Sequence, residues 1–216
     1  MAKFNYGDAH HRFPIEEKPW ALEDGKGILQ VHDIYNPLPD FMREADMVIT
    51  DLPYNQAMAT GYYTKAELEK PNKSFEEFYK RLFSQIDKIS PDILFVQIGK
   101  QNIKKIEAEI RMRYEFVEVF NVFYHKTNPC FFVRASRTGY SEYNYEGLDE
   151  MDVIELACAN EDYEVVADPL MGQGAVAVSA YKADKAFLGT ELNKNRLAVT
   201  LEKVAEIGGK WKEVKK

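Results

Sequence analysis

Between Glu164 and Glu191 the chain reads strand, aspartate-proline, glycine-rich turn, helix, strand, acid, an order that open α/β sheets accommodate and few other architectures do. The apolar run Glu164 to Ala167 leads into Asp168-Pro169-Leu170-Met171-Gly172-Gln173-Gly174. Ala175 to Lys182 has helical spacing, and Ala186 to Gly189 forms the next strand, closed by Glu191. Gly172 and Gly174 let the backbone turn tightly and approach a ligand without a Cβ in the way. The helix that follows offers free N–H groups and the positive end of its dipole. Glu191 lies where an acid accepts both hydroxyls of a ribose. Neither GxxxxGK[ST] nor the GxGxxG spacing is present, which disfavours phosphate-binding nucleotide sites.

Elsewhere, apolar runs alternate with amphipathic stretches, the pattern of a mostly parallel sheet covered by helices on both faces. Gly27 to His32, Asp46 to Thr50 and Ile93 to Ile98 read as buried strands. Phe116 to Tyr124 and Phe131 to Val133 read as an antiparallel edge hairpin, which makes seven strands with the two above. Phe75 to Ile89, stopped by Pro91, Gln101 to Arg113, Asp149 to Ala159 and Asn193 to Ile207 are the remaining helices. Asn55 to Lys73 reads as a solvated, mobile loop and Gly208 to Lys216 as a basic, frayed tail. Without repeats, low-complexity tracts or a linker, residues 1–216 are expected to form a single domain whose halves span about residues 20–135 and 149–207.

No run of about eighteen apolar residues occurs, and MAKFNYGDAHHRF carries charges and histidines where a secretory leader needs an apolar stretch. A soluble, cytoplasmic protein with no membrane partner is expected. Cys130 and Cys158 lie in apolar contexts without CxxC spacing and read as buried hydrophobes in a reducing compartment. His10, His11, His32 and His125 lack metal-ligand spacing, so no metal site is expected, and there is no GxSxG nucleophile elbow. The net charge of −7 works against holding a polyanion by phosphate contacts alone. A nucleic-acid partner would need a local basic surface, a small or single-stranded target, or a second protein that supplies affinity.

Asp51-Leu52-Pro53-Tyr54 closes the strand Asp46 to Thr50. An amine conjugated into an aromatic ring is a poor nucleophile, because its lone pair is delocalised and its hydrogens lie in the ring plane. The Asp51 carboxylate and the Leu52 carbonyl, in a turn stiffened by Pro53, are two acceptors able to take both hydrogens and restore the lone pair. Tyr54 is suited to stack on a base, an interaction of roughly 1 to 3 kcal/mol.

The segments DPLMGQG, GTELN and DLPY together resemble the DPFxGxGT, GIExN and (D/N/S)PP(Y/F) segments of S-adenosylmethionine-dependent DNA amino-methyltransferases acting on adenine N6 or cytosine N4. The catalytic turn precedes the cofactor loop, as in the permuted, beta-type members, and the resemblance spans about residues 20–206. It implies a Rossmann-like methyltransferase fold, S-adenosylmethionine (SAM) as cofactor and DNA as partner. It assigns catalysis to Asp51, Leu52, Pro53 and Tyr54. Cofactor binding falls to Asp33, Asp168, Pro169, Leu170, Gly172, Gly174, Glu191 and Asn193, with Asp33 at the cofactor adenine. Aspartate at the catalytic turn favours adenine N6, in an orphan or phage-borne modification enzyme.

The chain departs from this family in three ways. Leu52 stands where the family has proline, which is tolerable if only its carbonyl acts. SRTGYSEYNYEGLDEMDVIELA replaces a segment resembling HPTQKP, so the methionine end of the cofactor is assigned to the residues around Tyr145 to Asp149. Arg134 to Leu148 leaves room only for a short loop in place of a target-recognition insertion, so this chain alone is not expected to read duplex sequence; the target is single-stranded or weakly specific DNA, or a protein partner supplies recognition. Candidate nucleic-acid surfaces are Tyr62, Tyr63, Lys65, Lys70 and Lys73, and the cluster Arg134, Arg137, Tyr140, Tyr143 and Tyr145. Methylation of RNA or of a glutamine amide, and a non-catalytic binding module of the same fold, are the alternatives.

Overall fold

The computed structural model describes residues 6–214. The first five residues, part of the stretch compared above with a secretory leader, and the last two, part of the expected frayed tail, lie outside the described residues. A single nine-stranded sheet organises the chain. Its strands are β1 (Trp20–Leu22), β2 (Gly27–Val31), β3 (Met47–Asp51), β4 (Ile93–Ile98), β5 (Phe116–Tyr124), β6 (Asn128–Ser136), β7 (Val165–Asp168), β8 (Ala186–Glu191) and β9 (Trp211–Glu213), in the spatial order β5-β6-β4-β3-β7-β8-β2-β1-β9.

Only the five central strands, β4-β3-β7-β8-β2, run parallel; β5 and β6 flank them antiparallel at one edge, β1 and β9 at the other. The sheet is therefore mixed, not a mostly parallel sheet of seven strands. The two unexpected strands have three residues each, too few for a period-two pattern to register, and they exist because they pair with each other. The expected frayed tail is in part β9, anchored by the Trp211 indole N–H donating to the Leu201 carbonyl at 3.0 Å.

Alternation along the central strands sends side chains to two cores. Met47, Ile49, Ile93 and Phe95 pack on one face with α5 (Glu150–Asn160), α6 (Ala175–Lys182) and α7 (Lys194–Glu206). Val48, Leu94, Val96 and Ile98 pack on the other with α3 (Phe75–Ile89) and α4 (Ile103–Arg111). A capping box starts α3, the Ser74 hydroxyl accepting from the Glu77 N–H at 3.1 Å while the Glu77 carboxylate accepts from the Ser74 N–H at 2.9 Å. Ser90, at φ 56°, ends it before Pro91. A short α1 (Ala9–Arg12) and α2 (Gln56–Lys65) complete the helices. Among the described residues no helix is long and apolar enough to cross a membrane.

Candidate functional site

Four acidic strand ends stand side by side. Asp51 ends β3, Asp168 ends β7, Glu191 ends β8, and His32-Asp33 follows β2, these being neighbouring parallel strands. Carboxyl ends of parallel strands are where open α/β sheets take ligands. A cavity of about 530 Å³ opens there, lined by Asp51, Asp168, Pro169, Leu170, Gly172, Gly174 and Glu191 among others. Segments far apart in sequence thus share one wall.

Gly172 (φ 59°) and Gly174 (φ 78°) both adopt the left-handed region, and a Cβ on Gly174 would come within 2.3 Å of Thr200 Cγ2. Glu191 is buried and holds this turn in shape: one carboxylate oxygen accepts from the Gly172 N–H at 2.7 Å, the other from the Asn193 N–H at 2.9 Å. Asp168, also buried, accepts from the Leu170 N–H at 3.0 Å. The expected ribose acid is therefore also the brace of the glycine turn.

Asp51 carries a buried carboxylate oxygen, Oδ1, with no hydrogen-bond partner. Burial, aided by the nearby Glu150 carboxylate, pushes its carboxyl up to about 7. Burial does the same for Asp168, up to about 8, with the Asp51 charge adding to it.

Several expected site residues have other work. Leu52 buries its side chain in the core beside α3; its N–H donates to the Gln97 carbonyl at 3.1 Å. Tyr54 is half-buried beside the cavity, its hydroxyl accepting from Gln97 Nε2 at 2.9 Å and its ring resting edge-on to Tyr124. It also packs so closely on Gly99 that a Cβ there would lie 2.7 Å from the ring. Pro53 is buried and does not line the cavity. Asn193 caps α7, its side-chain oxygen accepting from the Asn195 N–H at 2.9 Å, and its amide donates to the Lys65 carbonyl at 2.8 Å. Asp33 accepts from the Tyr63 hydroxyl at 2.7 Å and the Tyr35 N–H at 3.0 Å.

The segment after the catalytic turn is helix α2, not a loop over its whole length. Asn55 caps it by accepting from the Met58 N–H at 3.0 Å. It covers the cavity with Ala59, Tyr62 and Tyr63. Its sequence, QAMATGYYTK, has no apolar stripe, so periodicity could not reveal it; Asn55 was the available signal. The basic-aromatic cluster divides: Arg137, Tyr140 and Tyr143 stay exposed, while Arg134 and Tyr145 turn inward. Arg134 is buried, paired with Glu161 at 2.8 Å and Glu118 at 3.0 Å, while Tyr145 is buried with its hydroxyl donating to Glu161. Arg137 donates to the Pro91 carbonyl and the Ser90 hydroxyl. A sequence window cannot anticipate acids that arrive from β5 and the end of α5. The wall expected at Tyr145 to Asp149 is formed one step later, by Glu150, Met151 and Ile154 of α5, joined by Tyr124 and His125 of the hairpin. Arg196 of α7 also lines the cavity and was not foreseen.

No protein-family model matches the chain, and no curated relative does. Solved structures do. M1.HpyAVI in complex with SAM superposes with a TM-score of 0.60 at 12% identity, covering 82% of this chain and 98% of that one. TTHA0409 from Thermus thermophilus, a putative DNA modification methylase also solved with SAM, gives 0.60 at 16% identity over 86% and 98%. PvuII DNA methyltransferase, cytosine-N4-specific, gives 0.57 at 12% identity over 88% and 89%. The chain has the α/β fold of these DNA methyltransferases.

Proposed function

We propose that the protein transfers a methyl group from SAM to an exocyclic amine of a DNA base, adenine N6 in the first instance, as a permuted, beta-type enzyme whose target recognition comes from a protein partner. One observation carries the reading: the Asp51 carboxylate, with an unpartnered buried oxygen, and the Gly172–Gly174 turn line the same cavity. Its volume, about 530 Å³, lies within the roughly 300–1,000 Å³ usual for cofactor and small-molecule sites. Its walls carry Asp51, Glu150, Asp168 and Glu191, a donor set that suits a cationic ligand. Asp168, Gly172, Gly174 and Glu191 would hold SAM, which supplies an electrophilic methyl on its sulfonium when bound.

The chain's own part is to prepare the amine. Asp51 and the Leu52 carbonyl accept its two hydrogens, so the nitrogen lone pair no longer feeds the ring. Because the Leu52 side chain belongs to the core, the departure from proline leaves this carbonyl role untouched. Tyr54, tied to the cavity wall through Gln97 and Tyr124, is assigned to stack on the base.

The test is DNA incubated with protein and SAM, digested and analysed by mass spectrometry. N6-methyladenine is expected with the wild type, reduced about 100-fold or more in Asp51→Ala. N4-methylcytosine instead would reassign the base, the reading favoured by the likeness to a cytosine-N4-specific fold. Tritium from labelled SAM entering RNA or protein, and none entering DNA, would overturn the proposal.

A further inference from the structure

Arg196 is the third residue of α7, and its guanidinium reaches the cavity beside the glycine turn. Its Nη1 lies 3.9 Å from the point where a Cβ on Gly172 would stand. The group sits over the Tyr62 ring, 5.5 Å from its centroid, and its Nε is buried without a hydrogen-bond partner. A guanidinium buried with a donor unmet is costly unless something satisfies it. The acids around it leave this donor unmet. Both Glu191 oxygens accept from backbone N–H groups of Gly172 and Asn193, and Asp51 and Glu191 feel the Arg196 charge without accepting from its Nε.

The remaining charges of the wall sharpen the assignment. Asp51, Glu150, Asp168 and Glu191 give it acidic groups and hydrogen-bond acceptors. Lys203 already donates to the Gln173 carbonyl at 3.1 Å, and His125 lies against Glu150 at 3.4 Å. One guanidinium with an unmet donor shares the lining with four acidic side chains. SAM has the matching pattern: two cations, sulfonium and α-ammonium, and a single anion, the α-carboxylate. Carboxylate and guanidinium pair by two parallel hydrogen bonds, a geometry an ammonium cannot reproduce.

We infer that Arg196 binds the methionine carboxylate of the cofactor, in place of the HPTQKP-like segment that this sequence lacks. The inference rests on the SAM reading above and names the residue that holds the cofactor's amino-acid end. A DNA phosphate is the competing ligand for such a cation. The buried Nε, on a guanidinium that lies over the Tyr62 ring with Nη1 close to Gly172, favours a ligand inside the cavity.

Calorimetry with two cofactor analogues separates the outcomes. S-adenosylhomocysteine carries the amino-acid end; 5′-methylthioadenosine keeps the nucleoside and thioether without it. Arg196→Met is expected to lose about 10- to 100-fold in affinity for S-adenosylhomocysteine while binding 5′-methylthioadenosine as the wild type does, which also shows that the variant is folded. Arg196→Lys, which keeps the charge and loses the fork, is expected to fall between. Equal losses for both analogues, or none for S-adenosylhomocysteine, would overturn the inference. So would a variant that keeps S-adenosylhomocysteine and loses an oligonucleotide, which would reassign Arg196 to phosphate. A wild type that binds neither analogue would instead remove the cofactor reading itself.

Discussion

Asp51 and Asp168 show how strongly a residue's chemistry depends on where the chain puts it. An exposed aspartate ionises near pH 4; buried side by side, these two are raised to about 7 and about 8. The folded protein therefore keeps protons that the unfolded chain has lost, so both groups subtract from stability as pH rises from about 4 through 8. Asp168→Asn is expected to gain melting temperature relative to the wild type as pH goes from 5.5 to 8.5, measured by differential scanning fluorimetry; a constant difference would contradict the raised carboxyl. The same protons oppose a cation. SAM affinity is expected to rise several-fold between pH 6.5 and 8.5, and S-adenosylhomocysteine, without the sulfonium charge, to respond less in parallel titrations.

At the scale of elements, α2 does the least expected work. Three contacts tie it to the strand ends below: Tyr63 to Asp33 at 2.7 Å, the Lys65 carbonyl to Asn193 at 2.8 Å, and the Tyr62 ring to Arg196 at 5.5 Å. Two of the residues expected to touch the cofactor, Asp33 and Asn193, thus hold the cover of the cavity. Removing a hydrogen bond to a carboxylate costs about 1.5 to 3 kcal/mol, so Tyr63→Phe is expected to speed S-adenosylhomocysteine release about 10- to 100-fold in stopped-flow measurements. An unchanged rate would mean that α2 does not govern exit. The α3 capping box belongs to the same scale; Ser74→Ala is expected to lower stability by about 1 kcal/mol, read from urea unfolding.

For the whole molecule, the edges of the sheet matter as much as its centre. β9 joins the chain's last strand to β1, and Trp211 lies 6.0 Å from the Phe187 ring, edge to face. Ending the chain after Gly209 removes that indole and uncovers β1. Loss of a partly buried tryptophan costs about 2 kcal/mol, so a fall in melting temperature of about 5 °C is expected, with the cavity residues unchanged and S-adenosylhomocysteine still bound.

The central strands, α3, α6 and the two acidic turns were legible in the sequence because each depends on local periodicity or on a turn residue a few positions away. The Asp168 to Glu191 segment announced its own order of strand, turn, helix and strand. α2 was hidden because QAMATGYYTK carries no stripe, and β1 and β9 because three-residue strands exist only through their pairing. Arg134 looked like a surface cation until Glu118 and Glu161 came to it from other elements. The order of the central strands and of the helices with an apolar stripe followed from the sequence, since backbone preference and side-chain type act locally. Only the tertiary structure decided that Asp51, Glu150 and Arg196 would share a cavity, because their approach is set by strand order and by cores that close long loops.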